Sequence, residues 1–309
     1  MITPHNPYYL QLSLLVRLLP YLGSEKCFGL KGGTAINLFY RDLPRYSVDI
    51  DLTYLPGETY ALAQREIESA LRRIAKALSS GSPSYRVSLG KGDSKGTVDT
   101  LTVGGADTQV KIEVNPVLRC TVHAIQERQV RPVVMKEFGF AAAQVLSFED
   151  IYAGKIVAAL DRQHPRDLFD VKLLLDGEGI SDILFRTFLV YLVGHHKSIP
   201  DVLAPHEKDI EQIYREQFVR MTAEAVPLEV LVETRGRLMR EIRTRLDDGL
   251  KCFLLSVQKA EPQWELLALD GVMDLPAVKW RLLNLRKMKP EAMAKEVARL
   301  ENVFRNSTQ

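Results

Sequence analysis

Asp49 and Asp51 stand on either side of one apolar residue, in the run Arg45-Tyr46-Ser47-Val48-Asp49-Ile50-Asp51. On a strand, residues two apart share a face. The two carboxylates then project side by side, while Val48, Ile50 and Leu52 pack on the opposite face. Like charges this close repel, which raises one pKa unless a cation lies between them. A pair of hard oxygen ligands suits Mg²⁺, which usually arrives with a substrate's phosphates.

The second half of the pattern precedes the acids. Gly29-Leu30-Lys31-Gly32-Gly33-Thr34 places a glycine pair before a hydroxyl residue. Gly32 and Gly33 let the backbone approach a ligand closely, and Thr34 is expected to start a helix. A glycine turn at a helix N-terminus offers N–H groups and a positive dipole to a phosphate. No Gly-Lys-Ser or Gly-Lys-Thr follows, so this is not a P-loop, and the dinucleotide fingerprint is absent. A phosphate cradle followed, one short helix later, by a metal-binding Asp-x-Asp is the layout for nucleotidyl transfer. Ser47 shares the acids' face and either touches phosphates or caps a turn after Pro44.

These residues need a sheet and helices to hold them. Tyr8 to Leu22 reads as a helix with Leu10, Leu14, Leu15 and Leu18 on one face, closed by Pro20 and Gly23. Cys27 to Leu30 is a short strand, Thr34 to Tyr40 a short helix, and Ser47 to Tyr54 the strand carrying the acids. Tyr60 to Leu78 is an amphipathic helix built on Ile67, Ala70, Leu71, Ile74 and Leu78, and Ser79 to Ser84 is a loop. Tyr85–Leu89 and Thr97–Val103 alternate as strands around a polar turn at 90–96. Gln109 to Asn115 alternates strictly, with Lys111, Glu113 and Asn115 on one face. Glu113 is either a third metal carboxylate or a surface glutamate.

Ser147 opens a helix with a capping-box pattern completed by Asp150. It runs to about Asp161 and carries Gly154, which costs roughly 1 kcal/mol against alanine unless something packs closely there. Pro165 starts a further helix that Gly177 ends, with Asp167 and Asp170 near its beginning. The remainder reads as helical, with a long pattern from Pro227 to about Ala260. Its arginines (235, 237, 240, 243 and 245), with Lys279, Arg281, Arg286, Lys287 and Lys289 beyond, form either a solvated face or a track for a phosphate backbone.

Composition narrows the class. The 309 residues are 46% hydrophobic and 26% charged, with a formal net charge of +2, which suits an ordinary globular protein of two modest domains. Three scattered cysteines, Cys27, Cys120 and Cys252, give neither a disulfide framework nor zinc spacing. The N-terminus has no signal-peptide pattern and no apolar run reaches membrane-spanning length. A cytoplasmic location is the expectation.

Gly32-Gly33-Thr34, the run Arg45 to Asp51, and Glu149-Asp150-Ile151-Tyr152-Ala153-Gly154-Lys155 followed by Arg166-Asp167-Leu168-Phe169-Asp170 resemble the AbiEii/AbiGii toxin family, the group that includes the MenT toxins. The resemblance covers about Phe28 to Leu175. It implies an α+β fold: a polymerase-beta-like nucleotidyltransferase core at 1–145, a mixed sheet with flanking helices, and a helical C-terminal lobe at 146–309. It implies transfer of nucleotides from an NTP with Mg²⁺. For the MenT branch it implies the 3′ acceptor end of tRNA as target, hence a block on translation, and it implies a cognate antitoxin encoded nearby. Carried over by position, Gly32, Gly33 and Thr34 hold the triphosphate, Ser47, Asp49 and Asp51 sit at the metal site, Lys155 contacts phosphates and Asp167 is a further active-site acid. Lys155 on a solvated helix and Asp167 as a favourable acid near a helix N-terminus are the plainer readings. A protein-modifying nucleotidyltransferase and a catalytically dead binding protein are the alternatives to the tRNA reading.

Overall fold

The computed structural model describes residues 6–82, 84–90, 97–105 and 107–306. They divide into two compact units, one of Met1–Ile151 with Val219–Ala225 and one of Tyr152–Phe218 with Val226–Gln309.

In the first unit a long apolar helix, α1 (Tyr9–Gly23), leads into β1 (Phe28–Lys31). Pro20 lies inside α1 rather than ending it, because buried Leu18, Leu19 and Leu22 carry the helix past the missing N–H. Leu10, expected on the core face, is exposed. The glycine pair opens α2 (Gly32–Ala35), which widens at once into a π-turn, Ile36–Tyr40. β2 (Ile50–Tyr54) runs antiparallel to β1, with Lys31 opposite Asp51. α3 (Tyr60–Gly81) is capped by the Thr59 hydroxyl and buries the Ile67, Ala70, Leu71, Ile74 and Leu78 stripe read from its periodicity; Ser79 to Gly81, expected as loop, continue it.

β3 (Arg86–Gly90), β4 (Thr100–Gly104) and β5 (Gln109–Asn115) follow as a meander. Of the polar turn expected at 90–96, Gly90 instead ends β3, and 91–96 lie outside the described residues. β6 (Gln126–Gln129), α4 (Pro132–Phe138) and β7 (Ala142–Val145) complete a seven-stranded sheet of order β3-β4-β5-β2-β1-β7-β6. β2 pairs parallel with β5 and β1 parallel with β7, so the sheet is mixed and the glycine turn and the acid strand occupy its centre. α5 (Phe148–Asp161) begins as expected: the Ser147 hydroxyl accepts the Asp150 N–H at 3.0 Å, while the Asp150 carboxylate takes the backbone N–H groups of Val122 and His123.

The second unit is helical among its described residues: the rest of α5, then α6 (Pro165–Asp176), α7 (Asp182–Gly194), α8 (Ile199–Leu203), α9 (Glu211–Gln217), α10 (Leu228–Arg245), α11 (Asp248–Gln258), α12 (Pro276–Arg286) and α13 (Pro290–Asn306). The long helix expected from Pro227 to Ala260 is two helices. The chain leaves helical geometry at Leu246, and Asp247 caps the second by accepting the Leu250 N–H. Gly154 sits in van der Waals contact with the Tyr191 ring, 3.5 Å from where a Cβ would be, which is the close packing that its place in α5 calls for.

Candidate active site

The first unit gathers the glycine turn, Ser47 and the two acids. Gly32 takes φ of +71°, a conformation that favours glycine, and a Cβ built there would lie 2.4 Å from Asp51 Oδ2. The turn is therefore pressed against the Asp51 carboxylate with no room for a side chain. Gly33 lies as close to Arg45 and Ser47: a Cβ there would meet the Arg45 guanidinium at 2.5 Å and Ser47 Oγ at 3.0 Å.

The helix starts at Gly32, not at Thr34, and Thr34 plays a different part from a cap. It is fully buried; its hydroxyl donates to the Asp49 carbonyl and lies 3.0 Å from Ser47 Oγ. Thr34 thus pins the segment that carries Ser47 and Asp49 to the glycine turn. That segment is not strand: β2 begins at Ile50, so Asp51 lies in the sheet while Ser47 and Asp49 lie in the stretch before it. Backbone contacts with 219–225 hold that stretch instead, with the Tyr46 N–H donating to the Met221 carbonyl and Arg45 bridging Thr222. Val48, Ile50 and Leu52 are buried, and Asp49 and Asp51 are half-buried, as the alternation implies.

Sheet register adds neighbours. Lys31 pairs with Asp51, and Asp51 with Glu113, so three charged residues form one row across β1, β2 and β5 on a shared face. Adjacent strands lie about 4.8 Å apart. Burial draws the Lys31 ammonium below its ordinary pKa, and the attraction of Asp51 opposes that. Sequence reasoning gives Lys31 no role, although its place next to the glycine pair is a signal for one. Glu113 is half-exposed and ion-paired to Lys111 at 2.6 Å. Among the described residues, Asp49, Asp51 and Glu113 do not bring three carboxylate oxygens within 4.8 Å of one another.

Lys155 and Asp167 belong to the second unit and meet there. Lys155 Nζ lies 2.7 Å from Asp167 Oδ1 and 3.0 Å from Asp170 Oδ2, and Arg162 closes on both Asp167 oxygens. All but Arg162 are buried. Burial alone would raise the Asp167 pKa, but the Lys155 charge and the Arg162 guanidinium outweigh it and hold the carboxyl well below the usual range. Lys155 is therefore a buried, fixed charge rather than a solvated helix lysine.

The basic residues of the helical unit separate into two groups. Arg235 is buried against Gln163, the Lys208 carbonyl and Glu207. Arg237 and Arg245 are ion-paired with Asp176 and Asp182, and Lys279 with Asp274. Arg281 is buried in α12. Arg240, Arg243, Arg286, Lys287 and Lys289 are exposed.

The glycine turn thus packs against the acid of β2, at the centre of a mixed sheet within an α+β chain. The family model for the nucleotidyl transferase AbiEii toxin of type IV toxin–antitoxin systems matches residues 13–248, and the chain belongs to that family. A search of curated proteins finds no match. Among solved structures, the chain is similar in fold to MenT4, a nucleotidyltransferase toxin from Mycobacterium tuberculosis, with a TM-score of 0.60 at 14% identity over 90% of this chain and 93% of that one. The protein is thus a nucleotidyltransferase toxin of AbiEii type, and the family implies an NTP substrate and an antitoxin partner. No helix among the described residues is long and apolar enough to cross a membrane.

Proposed function

We propose that the enzyme transfers nucleotides from an NTP, with Mg²⁺, to the 3′ acceptor end of tRNA and so blocks translation in the cytoplasm. The observation that carries the reading is the Gly32 turn held against Asp51, a bare backbone edge beside a carboxylate. The donor chemistry fits a hard cation: half-buried Asp49 and Asp51 would hold Mg²⁺, and Glu113 would join them by leaving Lys111. When bound, the ion supplies charge neutralisation to the triphosphate. Gly32 and Gly33 offer backbone to the phosphates. Lys31, opposite Asp51 in the sheet register, stands beside them. Thr34 and Ser47 position the acids. For Lys155 and Asp167 the assignment rests on the resemblance, supported by the buried charged cluster they build in their own unit. The tRNA target is supported by the family likeness and by the exposed arginines and lysines of α10 and the α12 end.

Incubation with each labelled NTP and total cellular RNA and protein tests the reading. Label at tRNA 3′ ends is the expected result. Label in protein instead would make the enzyme protein-modifying, and label in neither would make the fold a binding scaffold.

A further inference from the structure

We propose that Asp161, His195 and His196 form a binding site for one divalent transition-metal ion of the zinc class, joining the ends of two helices within the second unit. Each of the three offers a ligand atom, and these atoms all lie within 4.8 Å of one another. His195 Nε2 is 3.1 Å from Asp161 Oδ2, and the two imidazole rings are 4.2 Å apart between centroids. In a tetrahedral zinc site with bonds near 2.0–2.1 Å, neighbouring ligand atoms are about 3.3 Å apart. His195 and Asp161 already meet that spacing, and exposed His196 closes the remainder by side-chain rotation.

The surroundings favour a cation independently of the ligands. Asp161 is the last residue of α5, and His195 caps the C-terminus of α7, so two helix ends of negative partial charge converge here. Two ammonium groups already answer that field: Lys197 pairs with the Asp161 carboxylate, and Lys208 Nζ donates to the Asp161 carbonyl at 3.0 Å. Lys197 is 42% exposed and free to swing into solvent, leaving the carboxylate to an ion. The backbone leading into the histidines is closely packed, since a Cβ on Gly194 would meet Ala277 Cβ at 3.0 Å. Two imidazoles with one carboxylate select Zn²⁺ and its neighbours over Mg²⁺, which demands oxygen ligands. The site therefore differs in metal class from the one proposed for Asp49 and Asp51.

The test is Co²⁺ titration of the full chain, read by visible d–d absorption, with Zn²⁺ displacement and a Mg²⁺ control, in wild type and in His195→Ala, His196→Ala and Asp161→Asn. Wild type should take up one equivalent that Zn²⁺ displaces and millimolar Mg²⁺ does not, and each variant should lose it. His196 is exposed, so His196→Ala keeps the test valid should a more buried variant misfold. No uptake by wild type, or equal uptake by wild type and His196→Ala, overturns the proposal. Lys197→Ala should bind Co²⁺ several-fold tighter, and unchanged or weaker binding overturns the claim that Lys197 occupies the ion's place.

Discussion

Replacing Gly32 by alanine attacks the site through geometry alone. At φ of +71° a residue with a Cβ loses about 1–2 kcal/mol, partly offset by a stiffer unfolded chain. The new methyl group would stand 2.4 Å from Asp51 Oδ2 and 3.2 Å from Asp51 Cβ, where ordinary contact begins near 3.4 Å. The Cβ contact asks Asp51 to give by only a few tenths of an ångström, but the Oδ2 contact displaces the carboxylate oxygen itself by about 1 Å. A misplacement of that size at a reacting centre costs about a hundredfold in rate, or about 2.7 kcal/mol of barrier. We therefore expect Gly32→Ala to lose about 1 kcal/mol of stability in urea denaturation and about a hundredfold in labelled-nucleotide transfer. Gly33→Ala, whose nearest neighbour is the far end of the Arg45 side chain and which lacks the φ penalty, should be milder in both. Wild-type transfer and an unchanged denaturation midpoint in Gly32→Ala would refute the packing of the turn on Asp51.

Ser47→Ala should lose its hydrogen bond with Thr34, about 1 kcal/mol, and reduce transfer without abolishing it; complete loss with NTP binding intact would point to a direct chemical role for the hydroxyl. Asp167→Asn breaks a buried ion pair, so a loss on the order of 3 kcal/mol at neutral pH is expected. Because the folded pKa is depressed below the unfolded value of about 3.9, the ionised form contributes stability that is complete above that value and fades as pH falls through the folded one. The gap between Asp167→Asn and wild type should narrow in acid below about pH 4, and a gap constant with pH would contradict the assignment. Charge reversal at Arg240, Arg243 and Lys287 together should steeply weaken tRNA labelling and flatten its salt dependence by about one unit for each phosphate no longer neutralised, with NTP binding kept; unchanged labelling would place the RNA elsewhere.

Much of the candidate site was legible because its signals are local. Glycine pairs and Asp-x-Asp spacing are written in adjacent residues, and α3 and β5 follow from periodicity that burial alone enforces. What escaped was set by distant pairing. β7 joins the sheet through a parallel partner far away in sequence, and nothing around Ala142 announces it. Asp49 and Ser47 read as strand, yet they lie before β2, and the chain just ahead of them, at Pro44 to Tyr46, bonds to Met221, Thr222 and Ala223. Thr34 reads as a helix cap, but the helix starts two residues earlier, and from inside it the Thr34 hydroxyl donates to the Asp49 carbonyl. The arginine run of α10 reads as one surface, although Arg235 turns inward to satisfy Gln163 and a carbonyl. Periodicity shows which face is apolar, and it does not show which long polar side chains the core recruits.

The most direct test compares wild type with Asp49→Asn and Asp51→Asn in transfer of label from NTP to RNA, with folding followed by circular dichroism. Transfer by wild type, lost on chelation of Mg²⁺ and abolished in both variants while their spectra and midpoints stay native, is the result the site predicts. Undiminished transfer by a folded Asp51→Asn would contradict it, because the carboxylate against which the glycine turn is built would then have no part in the reaction.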